Sequence, residues 1–323
     1  MAELRFNPLI GDWVMIASHR QKRPDMPKDF CPFCPGSGRV PKEYDVYCYN
    51  NDFPALSQSP PEPDDVANDF FLAMPSYGKC EVILYSSGHT VKITDLSENH
   101  MKRLVDLWQD RFYALSQDEK IKYVYIFENR GELVGVTMPH PHGQIYGYSF
   151  VPKKLQLEHE NAKKYYNEKH RCLFCTMLDE ELRDGRRIIF KNNHFTVILP
   201  FFCEYPYGVY ILANRHVSTM LEFNDEEKAA LAVTIQNVAG MLDSLFGFSF
   251  PYMMCMHNAA VNSEDASDYY HFHIEFFPPM RGEKQVKYNA SSETGAWAHC
   301  NPTAPEDKAI ELREALERFR STH

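Results

Sequence analysis

The sequence predicts an α+β protein made of two copies of one unit, with antiparallel sheets and helices packed on them. Three observations carry this. Two Cys-x-x-Cys motifs, Cys31/Cys34 and Cys172/Cys175, each open a similar succession of elements. Each succession closes on a His-x-His motif, His140/His142 and His271/His273. Between them, runs rich in Val, Ile, Tyr and Phe alternate with stretches whose apolar residues recur at helical spacing.

In the first copy a strand is expected over Cys80–Tyr85, followed by Gly88-His89. Met101, Leu104, Val105, Trp108, Phe112 and Leu115 then share one face of a helix, with Asp95 or Ser97 as its N-cap. A strand follows over Tyr123–Glu128, then His140-Pro-His142. The second copy repeats the order. Strands are expected near Phe195–Leu199 and Gly208–Leu212, then Arg215-His216. A helix follows, capped by Asn224 or Asp225 and carrying Leu231, Ile235, Val238, Leu242 and Leu245. A strand over Tyr252–Met256 leads to a clear one beginning at Tyr270, on which alternation puts His271 and His273 on one face. The lone histidine and the first of each pair are 51 residues apart in the first copy and 55 in the second. Chance rarely keeps four motifs in one order at such similar offsets. The division is drawn at 1–165 and 166–323. A third helix is expected near Pro305–Phe319, and loops over Ser57–Asp65 and Asn289–Thr303.

Composition narrows the function. The chain has 323 residues, 44% hydrophobic, enough for one large core or two ordinary ones. A formal net charge of -10 argues against bulk binding to nucleic acid, which needs a basic surplus. No uninterrupted apolar run of membrane-spanning length and no signal-peptide pattern is evident, so a cytoplasmic home is expected. In a reducing compartment, two Cys-x-x-Cys pairs point to metal ligands or a redox motif rather than structural disulfides.

Zinc takes four soft or borderline ligands in a tetrahedron. Cys31, Cys34, His89 and His140 form one set; Cys172, Cys175, His216 and His271 form a second in the same order. The competing readings are small buried hydrophobes with satisfied core histidines, and a redox pair.

The segment Pro139-His140-Pro141-His142-Gly143-Gln144 carries the chemistry. Pro141 fixes the backbone between the histidines, and Gly143 permits close approach. One histidine can hold metal while the other addresses substrate. An imidazole nitrogen can attack phosphorus and split one hard step into two. Gln144 can donate to a phosphoryl oxygen as charge develops there.

This segment resembles the signature of the galactose-1-phosphate uridylyltransferases, within the histidine-triad superfamily, and the resemblance spans nearly the whole chain. It includes Arg5-Phe-Asn-Pro-Leu-Ile-Gly-Asp-Trp13, His19-Arg20-Gln-Lys-Arg23-Pro24, Asn51-Asp52-Phe53-Pro54-Ala55-Leu56, Phe127-Glu-Asn129, Ser249-Phe-Pro-Tyr252 and Phe276-Phe-Pro-Pro279. It implies duplicated histidine-triad-like units and a double displacement in which His142 takes UMP from UDP-glucose and passes it to galactose-1-phosphate. Gln144 then holds the phosphoryl oxygens, Asn51 and Asp52 contact the nucleoside, and Arg20, Arg23, Asn129, Thr137, Lys287 and Glu293 surround the phosphates and sugar. Cys31, Cys34, His89 and His140 fall on the family's structural zinc site. The second ion, zinc or iron, has two candidate ligand sets by resemblance, the Cys172/Cys175/His216/His271 set and Glu158/His257/His271/His273; the duplication favours the first. Thr137-Met138 and Ser291-Ser292 depart from the usual Ser-Asn and Gly-Tyr near the expected sugar site. A homodimer with sites near the subunit boundary is implied, with one active centre per chain because His273 lacks a following Gly-Gln. A related enzyme using an ADP-sugar through the same histidine is the alternative, and a non-catalytic zinc-stabilised binding protein the third reading.

Overall fold

The computed structural model describes residues 2–22, 30–136 and 138–322. Arg23 and Thr137 lie outside the described residues. The chain opens with a hairpin, β1 (Glu3–Asn7) and β2 (Asp12–Ile16), and continues through β3 (Tyr47–Asn50), β4 (Ala73–Pro75), β5 (Gly78–Leu84), α1 (Glu98–Ser116), β6 (Tyr123–Arg130) and β7 (His142–Tyr148). The second half comprises α2 (Lys153–Lys169), α3 (Leu173–Asp184), β8 (Ile188–Lys191), β9 (Phe195–Ile198), β10 (Tyr210–Ala213), α4 (Asp225–Phe246), β11 (Tyr252–His257) and β12 (His273–Phe277). After it come β13 (Met280–Gly282), β14 (Gln285–Val286), α5 (Ser291–Ala296) and α6 (Pro305–Thr322).

The expected α+β class with antiparallel sheets holds. Nine strands form one sheet in the order β3-β5-β7-β6-β11-β12-β10-β9-β8. The centre is the antiparallel pair β6–β11, in register from Arg130↔Tyr252 to Ile126↔Met256. Outward from it run β7, β5 and β3 on one side and β12, β10 and β9 on the other. The matching connectivity on each side is the repeat written in three dimensions. A separate three-stranded sheet, β2-β1-β4, covers the N-terminal end.

Helices α1 and α4 form where stripe and cap agree. Ser97 accepts from the His100 amide and starts α1; Asn224 accepts from Glu227 and starts α4. Asp95 caps the short turn before α1 instead, accepting from the Lys92 amide at 2.9 Å. Helix α4 is long and apolar enough to cross a membrane by composition, but most of it is buried. It packs against α1, α6 and β9. Together these helices and the sheet face beneath them make one continuous core reaching from Ile83 and Trp108 to Ile274 and Phe276. Ile145, Ile274 and Phe276 point into that core. Alternation therefore turns His142 and Gln144 on β7, and His273 and Glu275 on β12, to the opposite face.

Three expectations change. Strand β12 begins at His273, so His271 precedes it and does not share its face role. The loop expected over Asn289–Thr303 contains the short helix α5. Helices α2 and α3 were not expected, and α2 runs through residue 165, linking the two halves.

Candidate active site

The first Cys-x-x-Cys lies in a turn closed by the Cys34 amide on the Cys31 carbonyl at 3.3 Å. Cys34 Sγ lies 3.4 Å from His89 Nδ1, and Cys31 and Cys34 Sγ each lie 3.7 Å from His140 Nδ1. In a regular tetrahedron with Zn–S of ~2.3 Å and Zn–N of ~2.05 Å, a sulfur and a nitrogen sit about 3.6 Å apart. These sulfur–nitrogen spacings are those of a zinc site, and all four ligand atoms lie within 4.8 Å of one another. His140 Nε2 lies 2.7 Å from the Ser86 carbonyl, a contact that puts the proton on Nε2 and leaves Nδ1 to the ion. Burial also holds the His140 ring below its ordinary pKa, in the neutral form a ligand needs.

The second set repeats this construction on different backbone. Cys172 is the N-cap of α3 and Cys175 lies in its first turn, where the helix N-terminus favours thiolates. Cys175 Sγ is 3.3 Å from His216 Nδ1 and 3.4 Å from His271 Nδ1. Their Nε2 atoms lie 2.6 Å from the Ser267 carbonyl and 3.0 Å from that of Ala213.

The other set suggested by resemblance is not assembled as expected, because His271 is committed to Cys175. Glu275 stands in its place. Glu158, His257, His273 and Glu275 form a third cluster whose potential ligand atoms all lie within 4.8 Å of one another. The repeat contained the signal: Glu275 follows His273 by two residues, as Gln144 follows His142.

His142 is the first residue of β7. Its Nδ1 lies 2.7 Å from the carbonyl of His140, so Nδ1–H donates and the ring lone pair sits on Nε2. His273 Nδ1 lies 2.9 Å from the His271 carbonyl, the same device in the second half. The His142 ring packs on Phe33, centroids 5.6 Å apart, and borders a cavity of about 330 Å³. Lys92, Asn129, Arg130, Met138 and Ser249 line it as well. Gly143 is required here: a Cβ on it meets the Tyr85 hydroxyl at 2.2 Å and the Phe127 carbonyl at 3.0 Å.

The expected substrate residues divide by location. Gln144 shares the His142 face, and its Oε1 accepts from the Tyr146 hydroxyl at 3.1 Å. Arg20 sits beside that hydroxyl and Cys80. Asn51 Oδ1 is taken by the Phe53 amide at 2.9 Å, and Asp52 by Arg39 at 2.8 Å and the Tyr49 hydroxyl at 2.9 Å. Tyr49 packs on Phe33, which joins this pair to His142. Asn129 lines the cavity. Lys287 and Glu293 do not: the buried Lys287 ammonium lies 3.2 Å from Asn289 Oδ1 and 3.7 Å from Glu293, over the Tyr205 ring.

Glu128, which no motif of its own marks, lines the same cavity and is 6% exposed. Burial pushes its carboxyl from 4.5 up to about 7, against the pull of Arg130. A carboxyl raised on folding costs nothing below the unfolded value. Its penalty accrues as pH rises from 4.5 to about 7, and stays near ~3 kcal/mol above that. Glu128→Gln is therefore expected to gain stability relative to the parent between pH 5 and pH 8. Thermal unfolding at both pH values checks this; a gap that does not change contradicts it.

Comparison with known proteins agrees across the chain. Residues 1–152 match the family described as galactose-1-phosphate uridyl transferase, N-terminal domain, and residues 158–288 match its C-terminal domain. A galactose-1-phosphate uridylyltransferase of Thermotoga maritima is 42% identical over 315 residues, covering 97% of this chain and 98% of the relative. That of Haemophilus influenzae is 30% identical, covering 88% and 85%. A solved uridylyltransferase superposes with a TM-score of 0.90 at 29% identity, covering 98% of this chain and 99% of the other. An ADP-glucose phosphorylase from Arabidopsis thaliana shares the fold, with a TM-score of 0.75 at 23% identity over 97% and 99%.

Proposed function

Because this chain belongs to the galactose-1-phosphate uridylyltransferase family and is a nucleotidyltransferase, we propose that it moves UMP from UDP-glucose to galactose-1-phosphate through a covalent uridylyl group on His142. The observation that carries the reading is the 2.7 Å contact of His142 Nδ1 with its neighbour's carbonyl, beside a cavity. It turns Nε2 into the nucleophilic nitrogen before substrate arrives.

In the first half-reaction Nε2 attacks the α-phosphorus, an N–P bond forms, and the P–O bond to glucose-1-phosphate breaks. The leaving phosphate takes that electron pair. The imidazole gains positive charge, which the His140 carbonyl stabilises through Nδ1–H. In the second half-reaction a phosphate oxygen of galactose-1-phosphate attacks the same phosphorus, the N–P bond breaks, and UDP-galactose leaves. No net proton moves. The Gln144 amide, fixed through its oxygen by Tyr146, directs its N–H toward the phosphoryl oxygens. Asn51, Asp52 and Arg20 form the nucleotide side of the site, with Arg23 and Thr137 assigned there by resemblance, and Asn129 faces the reacting phosphates.

Both Cys2His2 sets fit zinc and serve structure: the first ties the turn at Cys31 to the segment entering β7, and so holds His140 under His142. For the second set we take zinc rather than iron, on its likeness to the first. We read 1–165 and 166–323 as the two units, and the molecule as a cytoplasmic homodimer. Assembly near the active site gives Lys287 and Glu293, which do not line their own chain's cavity, a route to the sugar phosphate.

Isotope exchange tests the mechanism. Labelled glucose-1-phosphate is expected to enter UDP-glucose with no galactose-1-phosphate present, and not to enter ADP-glucose. Exchange that appears only after galactose-1-phosphate is added contradicts a covalent intermediate.

A further inference from the structure

The third cluster is the second half's counterpart of the catalytic pair. His273 and Glu275 occupy on β12 the places of His142 and Gln144 on β7, each histidine anchored through Nδ1 to the carbonyl two residues earlier. Here the pair is sealed. His273 is 1% exposed, Glu275 2% and His257 1%. Glu158 comes down from α2, its Oε2 2.9 Å from His257 Nδ1 and 3.0 Å from the Tyr270 hydroxyl.

Charge distinguishes this cluster from a plain ligand cage. Two carboxylates lie in a buried place, and two uncompensated anions are costly there. Among the described residues, one lysine reaches them. Lys154, in the first turn of α2, puts its ammonium 2.5 Å from Glu275 Oε2 and 4.0 Å from Glu158 Oε1, over the Phe277 ring. Glu275 Oε2 is also the oxygen that faces His257 Nε2, at 3.5 Å, while Oε1 faces His273 Nε2 at 3.6 Å. An ion held between the imidazoles and Glu275 draws on the oxygen that the ammonium occupies.

We propose that Lys154 is the built-in cation of this cluster and competes with a divalent metal ion for it, making it an exchangeable ion site beside two firmly held Cys2His2 sites. The donor set of two imidazoles and two carboxylates suits manganese, iron or zinc. A divalent ion alone neutralises the two carboxylates; with the ammonium still in place the cluster carries an excess positive charge. The lysine has a way out to solvent, since its side chain is half exposed.

The test uses manganese(II), which has little affinity for thiolates, titrated calorimetrically into the folded full chain with both Cys2His2 sites loaded with zinc. Lys154→Met and Lys154→Gln, both neutral and of similar length, are each expected to bind one manganese ion at least tenfold more tightly than the parent. His257→Ala added to either is expected to remove that gain. Equal or weaker binding in the neutral variants overturns the proposal, because the lysine then supports the site or is indifferent to it. A gain that survives His257→Ala overturns it too, because the ion then sits elsewhere.

Discussion

His142→Ala is expected to lose uridylyl transfer by about 10⁴-fold or more, the scale on which removal of a nucleophile costs an enzyme its rate. Its fold and its first zinc set are expected to persist. The reason lies in the division of labour between two histidines a proline apart. His140 is fully buried, with Nδ1 turned to Cys31 and Cys34 and Nε2 on the Ser86 carbonyl. His142 borders the cavity and holds the His140 carbonyl through its Nδ1. Truncating His142 removes the nitrogen that bonds to phosphorus and takes away no proposed metal ligand. Steady-state rates with metal content measured alongside check this. Loss of zinc together with activity would reassign His142 to the ion.

Cys31→Ser is expected to act the other way round, on stability before chemistry. The first set pins three remote segments: the Cys31–Cys34 turn, the stretch after β5 that bears His89, and the approach to β7. Zinc held there contributes folding energy directly, because no such site exists in the unfolded chain. Loss of one thiolate is expected to cost roughly 4 kcal/mol, as metal-site losses do, and to lower the melting temperature by about 10 °C. Activity of the molecules still folded should fall less than in His142→Ala. A melting temperature equal to the parent's would show that no ion contributes there.

The parts of this molecule that were legible in sequence are those with strong local periodicity or paired motifs. The stripe from Met101 to Leu115 and the Asn224 cap found α1 and α4, because both helices bury one whole face. Helix α2 escaped because it buries only Leu155 and Ala162, too few to mark a stripe. Helix α3 hid behind its cysteines, since Cys172 reads as a ligand before it reads as an N-cap. That the two halves fuse through β6 and β11 into one sheet is a matter of long-range register, and no local pattern contains it. At the sites, both Cys2His2 sets followed from order and spacing. The third cluster did not, because the resemblance names His271 as its fourth member, whereas His271 faces Cys175 and Glu275 joins the other three. Glu128 carried no motif of its own; only burial beside the cavity marks it.

Intact-protein mass spectrometry after mixing with UDP-glucose, with no acceptor sugar present, tests the covalent histidine most directly. The parent should gain the mass of one uridylyl group, and His142→Ala should gain none. A parent that stays at its original mass, or a variant that gains the same increment, contradicts the assignment of His142 as the carrier.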